Sequence, residues 1–171
     1  YIACIFIKEG IEKSEPSPMA GVEYHNLDSA KEYVRNFYNK GISNFLVFGS
    51  TKNKSVERAC TQGDILKFIK SVKQEFGNKI KIHADVGLSP YSIDGHSTVI
   101  EAGKINEEKS YELASRLAVS FAKAGADYLA PCLSLHKQVK MIRMALDKAG
   151  FKKAKIHAYS AKFSSALYGP Y

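Results

Sequence analysis

The sequence predicts an α/β fold built on a parallel sheet. Four amphipathic stretches each stop at a glycine, an apolar run of strand length follows each of those glycines, and a further apolar run opens the chain. Strands alternating with helices, without a hairpin signal between them, imply parallel strands joined by right-handed crossovers.

The opening strand is Ile2-Ala3-Cys4-Ile5-Phe6-Ile7. A helix from about Leu27 to Lys40 carries Ala30, Tyr33, Val34, Phe37 and Tyr38 on one face; Gly41 ends it and Phe45-Leu46-Val47-Phe48 follows. The second helix begins near Asp64, read as its N-cap, spaces Ile65, Ile69, Val72 and Phe76 helically, and stops at Gly77 before the strand Ile80 to Val86. The third starts after Asn106, repeats Ala114, Leu117, Ala118 and Phe121, and ends at Gly125 before Tyr128-Leu129-Ala130. The fourth uses Val139, Ile142 and Leu146, ends at Gly150 and leads into Ile156 to Tyr159. Five such strands make either an open doubly wound sheet or the first part of a (β/α)8 barrel. Lys81-Ile82-His83-Ala84 recurs as Lys155-Ile156-His157-Ala158 at the start of two strands, which reads as a weak internal repeat with structural histidines.

The 171 residues suit one domain, here residues 1–171. Nineteen aromatics and 45% hydrophobic residues exclude disorder, and no apolar window reaches the roughly 18 residues of a membrane span. Cys4, Cys60 and Cys132 are far apart, which argues against a disulfide scaffold or zinc ribbon and points to a reducing cytosol. The net charge of +8 comes from twenty-one Lys against four Arg, scattered without a basic block. That is a solvated surface rather than a nucleic-acid surface, which favours Arg forks. The apolar start at Tyr1 and the Leu167-Tyr168-Gly169-Pro170-Tyr171 end read as cut, so a fragment is expected. Five barrel strands alone would leave two sheet edges open, so association is expected too.

Chemistry in parallel α/β folds sits on the loops after the strands. No G-x-G-x-x-G or P-loop pattern follows any strand, so nucleotide binding loses its main support. The third strand leads into Asp85-Val86-Gly87-Leu88-Ser89-Pro90-Tyr91 and on to Asp94-Gly95-His96-Ser97. The fourth leads into Pro131-Cys132-Leu133-Ser134, in which Cys132 reads as a small packed side chain. The fifth ends in Tyr159-Ser160-Ala161-Lys162-Phe163-Ser164-Ser165. Lys162 stands among small and aromatic residues, surroundings that disfavour the ammonium and favour a Schiff-base nucleophile; a lysine merely reaching solvent is the alternative.

These stretches resemble the porphobilinogen synthase (5-aminolevulinate dehydratase) family. Tyr159 to Ser165 and Tyr168 to Tyr171 match its Tyr-Ser-Ala-Lys-Phe-Ala-Ser and Tyr-Gly-Pro-Phe signature. Asp85, Val86, Leu88, Pro90, Tyr91, Gly95 and His96 match its strand-three motif. Phe6-Ile7-Lys8-Glu9-Gly10, Ser17 to Val22, and Lys123 to Asp127 with Ala130-Pro131 are similar to further family segments, so the resemblance spans the chain.

The resemblance implies a (β/α)8 TIM barrel, of which this chain covers about the first five strands and four helices. It implies condensation of two 5-aminolevulinate molecules to porphobilinogen in tetrapyrrole synthesis, in a homo-oligomer that the family builds as an octamer. Lys162 matches the first of the family's two active-site lysines; the second, the lid arginines and three strands would follow Tyr171. Asp85, His96, Tyr159 and Ser164 are the expected substrate-side residues. No metal is expected, because Gly87, Ser89 and Ser97 stand where zinc-dependent members have cysteines, and neither Gly nor neutral Ser suits zinc. Leu133 replaces a carboxylate expected to face substrate, Gln138 an arginine, and Asp94 a histidine. These departures keep open a degenerate, non-catalytic homologue that binds a carbonyl acid or a partner, and more remotely another imine-forming barrel such as an aldolase.

Overall fold

The computed structural model describes residues 1–159. Its elements are β1 (Ala3–Lys8), β2 (Glu15–Pro16), β3 (Glu23–His25), α1 (Leu27–Asn39), β4 (Asn44–Ser50), α2 (Val56–Gln62), α3 (Asp64–Phe76), β5 (Lys81–Val86), β6 (Val99–Glu101), β7 (Lys104–Asn106), α4 (Glu107–Ala124), β8 (Tyr128–Pro131), α5 (Gln138–Lys148) and β9 (Lys155–Ile156). No described helix is long and apolar enough to cross a membrane.

The main sheet has the order β2-β3-β1-β4-β5-β8-β9. β1, β4, β5, β8 and β9 are parallel and are added in chain order, each beside its predecessor. A doubly wound sheet reverses its strand order at a switch point, and this sheet does not. α1 packs on α3, α3 on α4, and α4 on α5, so successive helices line one face. The result is the first five strands of a (β/α)8 barrel with part of its helical ring.

Strand alternation explains the core. Ile5, Ile7, Phe45, Val47, Ile82, Ala84, Val86 and Leu129 point toward the helices and are buried. They meet Ala30, Val34, Phe68, Ile69, Val72, Leu117, Phe121, Ile142 and Leu146. The opposite face carries the intervening residues, including Phe6, Phe48, His83 and Asp85. All four glycines read as helix stops have left-handed φ values, 86° at Gly41, 57° at Gly77, 112° at Gly125 and 87° at Gly150. Asn26 and Asn106 cap α1 and α4 by accepting from Ser29 N (2.9 Å) and Lys109 N (3.0 Å).

Three features differ from the sequence reading. Asp64 is the first residue of α3, not its cap; the cap is Gly63, because the unanticipated helix α2 runs directly into α3. A Cβ on Gly63 would lie 3.1 Å from the Ala59 backbone, so any larger residue would require that corner to give by a few tenths of an ångström. Hairpins do exist: β2 and β3 are antiparallel, and so are β6 and β7. The β6–β7 turn places Ala102 and Gly103 at φ 49° and 74°, the two positive values of a type I′ turn. Ser110, fully buried on α4, fixes this hairpin by accepting from Val99 N (2.8 Å) and donating to Asn106 O (2.7 Å).

Candidate active site

The C-terminal ends of β1, β4, β5 and β8 and the residues after β9 surround a cleft of about 1020 Å³. Phe6 and Phe48 stack at 4.8 Å to form its apolar wall. Asp85, at the end of β5, is the sole acidic side chain among its described lining residues. Opposite, Tyr159 follows β9, and its backbone N–H continues the ladder to Pro131 O at 3.3 Å.

Tyr159 is hydrogen-bonded to Asp85. Burial first, and then the negative charge of Asp85, push the Tyr159 hydroxyl well above its ordinary range, so the phenol stays protonated and donates to the carboxylate. This contact joins two of the substrate-side residues expected from sequence, 74 positions apart along the chain. His96 lies elsewhere: it is half-buried and does not line the cleft. Its N–H donates to Asp94 Oδ1 (3.1 Å) and its carbonyl accepts from Ser92 (2.8 Å), which closes the loop on itself. Lys162 and Ser164 lie outside the described residues.

The loop after β5 is held by Thr51, which donates to Pro90 O at 3.0 Å, and by buried Tyr91. Tyr91 packs so closely on β4 that a Cβ on Gly49 would come within 2.9 Å of its hydroxyl. Ser89 and Ser97 reach the cleft from this loop. Where the resemblance implies zinc ligands this chain has Gly87, Ser89 and Ser97, which offer no thiolate. Gly87 has no side chain, and a Cβ there would lie 2.6 Å from Cys132 Sγ and 3.2 Å from Asp85 Oδ2. No three His, Cys, Asp or Glu side chains among the described residues are arranged to hold a metal ion.

The loop after β8 supplies further lining residues, of which the sequence reading had marked Gln138 as standing for an arginine. Cys132, Ser134, His136 and Gln138 line the cleft. Cys132 is partly buried and packs its Sγ directly against Gly87, as its reading as a small packed side chain expected, while also lining the cleft. Ser134 adopts φ 60°, uncommon for a non-glycine residue and frequent at functional loops. Leu133, expected on the substrate face, is instead 3% exposed and belongs to the core. Its N–H donates to Gln138 Oε1 at 2.8 Å, so Gln138 shapes the loop turn. For Ser134 and His136 the only advance signal was their place after a strand.

Fold and site together define a (β/α)8-barrel protein with its cleft at the C-terminal mouth. The family model for delta-aminolevulinic acid dehydratase matches residues 1–171. Delta-aminolevulinic acid dehydratase of Bacillus subtilis is 36% identical over 175 residues, covering 100% of this chain and 54% of the relative. That of Archaeoglobus fulgidus is 34% identical over 174 residues, covering 99% and 54%. The crystal structure of the Toxoplasma gondii enzyme, in complex with the reaction product porphobilinogen, superposes with a TM-score of 0.90 at 30% identity, covering 99% of this chain and 50% of that one. The chain therefore belongs to the delta-aminolevulinic acid dehydratase (porphobilinogen synthase) family, and it spans about half the length of these relatives.

Proposed function

We propose that this chain supplies the imine-forming part of a porphobilinogen synthase active site, with Lys162 as the nucleophile. The observation that carries the reading is the hydrogen-bonded Asp85–Tyr159 pair in the cleft, with Tyr159 three positions before Lys162 in sequence. The neutral Lys162 amine adds to the ketone carbon of 5-aminolevulinate, a C=N bond forms, and the carbonyl oxygen leaves as water. Asp85 offers a carboxylate to the substrate's amino group, and the Tyr159 hydroxyl fixes the orientation of that carboxylate. Phe6 and Phe48 give the cleft an apolar wall that favours the uncharged amine. His96 acts by shaping the loop, and Ser164 sits two positions from the nucleophile. Cys4, Cys60 and Cys132 as reduced cysteines suit a reducing cytosol, and the assembly proposed from the resemblance is a homo-oligomer.

The chemistry proposed for this loop uses no resident metal, because Gly87, Ser89 and Ser97 offer no thiolate or imidazole. Incubation with 5-aminolevulinate, with and without a chelator, is expected to give the same rate of porphobilinogen formation in both arms. Stoichiometric zinc bound at Gly87–Ser97, or a chelator-sensitive rate, contradicts the metal-free reading.

A second reading has one observation in its favour. Leu133 lies in the core and leaves Asp85 as the one described acid in the cleft. A degenerate homologue would bind the carbonyl acid and stop. A borohydride-trapped adduct without porphobilinogen selects that reading.

A further inference from the structure

The repeated Lys-Ile-His-Ala stretches meet in space. His83 on β5 and His157, one residue beyond β9, bring their Nδ1 atoms within 2.9 Å, their rings crossing at 71°. On its other side His83 Nε2 is 3.3 Å from Asn44 Oδ1 on β4. The Asn44 amide nitrogen is directed to Ser43 Oγ at 3.4 Å, which leaves its oxygen toward the imidazole. An amide oxygen only accepts, so Nε2 carries the His83 proton. A neutral imidazole has one N–H, so His83 Nδ1 accepts and His157 Nδ1 donates. The Tyr128 ring stacks on His83 at 4.1 Å and 6°, which fixes the plane of the ring.

We propose that His83 and His157 form a clamp that tolerates one added proton and opens with two, and that through it His157 is a positioning residue for the segment after β9 that carries Tyr159. A proton on His157 keeps the contact, because Nδ1–H still donates. A second proton, on His83, sets N–H against N–H. The charged groups around the pair disfavour that second proton. Lys81 flanks it on β5, and Lys155 on β9 lies over Tyr128 at 5.5 Å. The acid beside it, Asp127 on β8, is engaged by Lys73 (3.0 Å) and Lys81 (3.2 Å), and Asp85 on β5 is bonded to Tyr159. Burial, followed by the charge of His157, holds His83 down to about 4. β9 itself is two residues long, continued by His157 N–H to Leu129 O at 2.8 Å, so the imidazole bridge is a large share of what ties this segment to β4 and β5.

The bearing on catalysis rests on the proposed function, but the test reads side-chain resonances and not turnover. Histidine side-chain NMR on the whole chain, titrated downward from neutral pH, is expected to show His83 as the Nε2–H tautomer, unprotonated through 6.5. The Tyr159 ring signals should hold until the second proton enters and then shift. His157→Gln, which donates an amide N–H without titrating, is expected to keep the Tyr159 signals at their neutral-pH positions, and His157→Leu to move them at every pH. If neither variant folds, the wild-type titration decides. A His83 that titrates near 6.5 or carries its proton on Nδ1, or Tyr159 signals indifferent to both pH and His157→Leu, overturns the proposal.

Discussion

Replacing Lys162 by arginine is expected to abolish borohydride trapping of 5-aminolevulinate while leaving the circular dichroism spectrum and unfolding midpoint of the protein unchanged. An imine requires a neutral amine for part of the time at working pH. Lysine can be brought to that condition by apolar neighbours and nearby cations, whereas a guanidinium stays charged and does not add to ketones. Ser160, Ala161, Ser164 and Ser165 are small, and Tyr159 and Phe163 are aromatic, so the local sequence combines room for substrate with apolar surface. Residual trapping in Lys162→Arg at the wild-type level assigns the chemistry to another lysine.

The second large effect is on stability. Asp127 begins the turn into β8 and accepts from Ile82 N (3.0 Å), Lys73 Nζ (3.0 Å) and Lys81 Nζ (3.2 Å). Its own backbone N–H donates to Ile82 O, and its carbonyl accepts from Lys155 N, so one residue ties β5, β8 and β9 at their N-terminal ends. Asp127→Ala leaves the Ile82 N–H and a nearly buried ammonium at Lys73, 15% exposed, without their carboxylate. Such losses cost about 3 kcal/mol, or roughly 10 °C in Tm for a chain of this size. Asp127→Asn, which keeps an acceptor for Ile82, should lose less. Burial pushes the Asp127 carboxyl up, but the Ile82 N–H and the two lysines outweigh it and hold the group below the ordinary carboxylate range. A carboxyl depressed in the folded state contributes fully above its unfolded value, so this stabilisation is present at neutral pH and is lost as pH falls through the folded value. Equal unfolding midpoints for Asp127→Ala and wild type at neutral pH contradict this account.

Much of the barrel was legible because its punctuation is local. Gly41, Gly77, Gly125 and Gly150 stop helices by adopting φ values that other residues avoid, and Asn106 caps α4 within three residues of itself. The missed pieces lack such signals. α2 is seven residues long with only Ala59 buried, too short for a helical period to emerge. The β6–β7 turn uses Ala-Gly where Asn-Gly would have announced a type I′ hairpin. The site divides the same way. Asp85 and Tyr159 could be placed near each other because both stand at the C-terminal ends of parallel strands. By contrast, the close approach of Cys132 to Gly87 depends on tertiary packing that neither loop specifies alone. Leu133 reads as a substituted site residue in sequence, yet the turn fixed by Gln138 sends it into the core. The two Lys-Ile-His-Ala stretches were visible as a repeat, but that their imidazoles touch follows only from the strand register.

The claim on which the account rests is that one lysine of this chain is an imine-forming nucleophile. Incubation with 5-aminolevulinate and borohydride, followed by peptide mass mapping, tests it directly. The account predicts a single modified peptide, with the reduced adduct on Lys162. Label distributed over the twenty-one lysines, as their surface exposure alone would dictate, contradicts it.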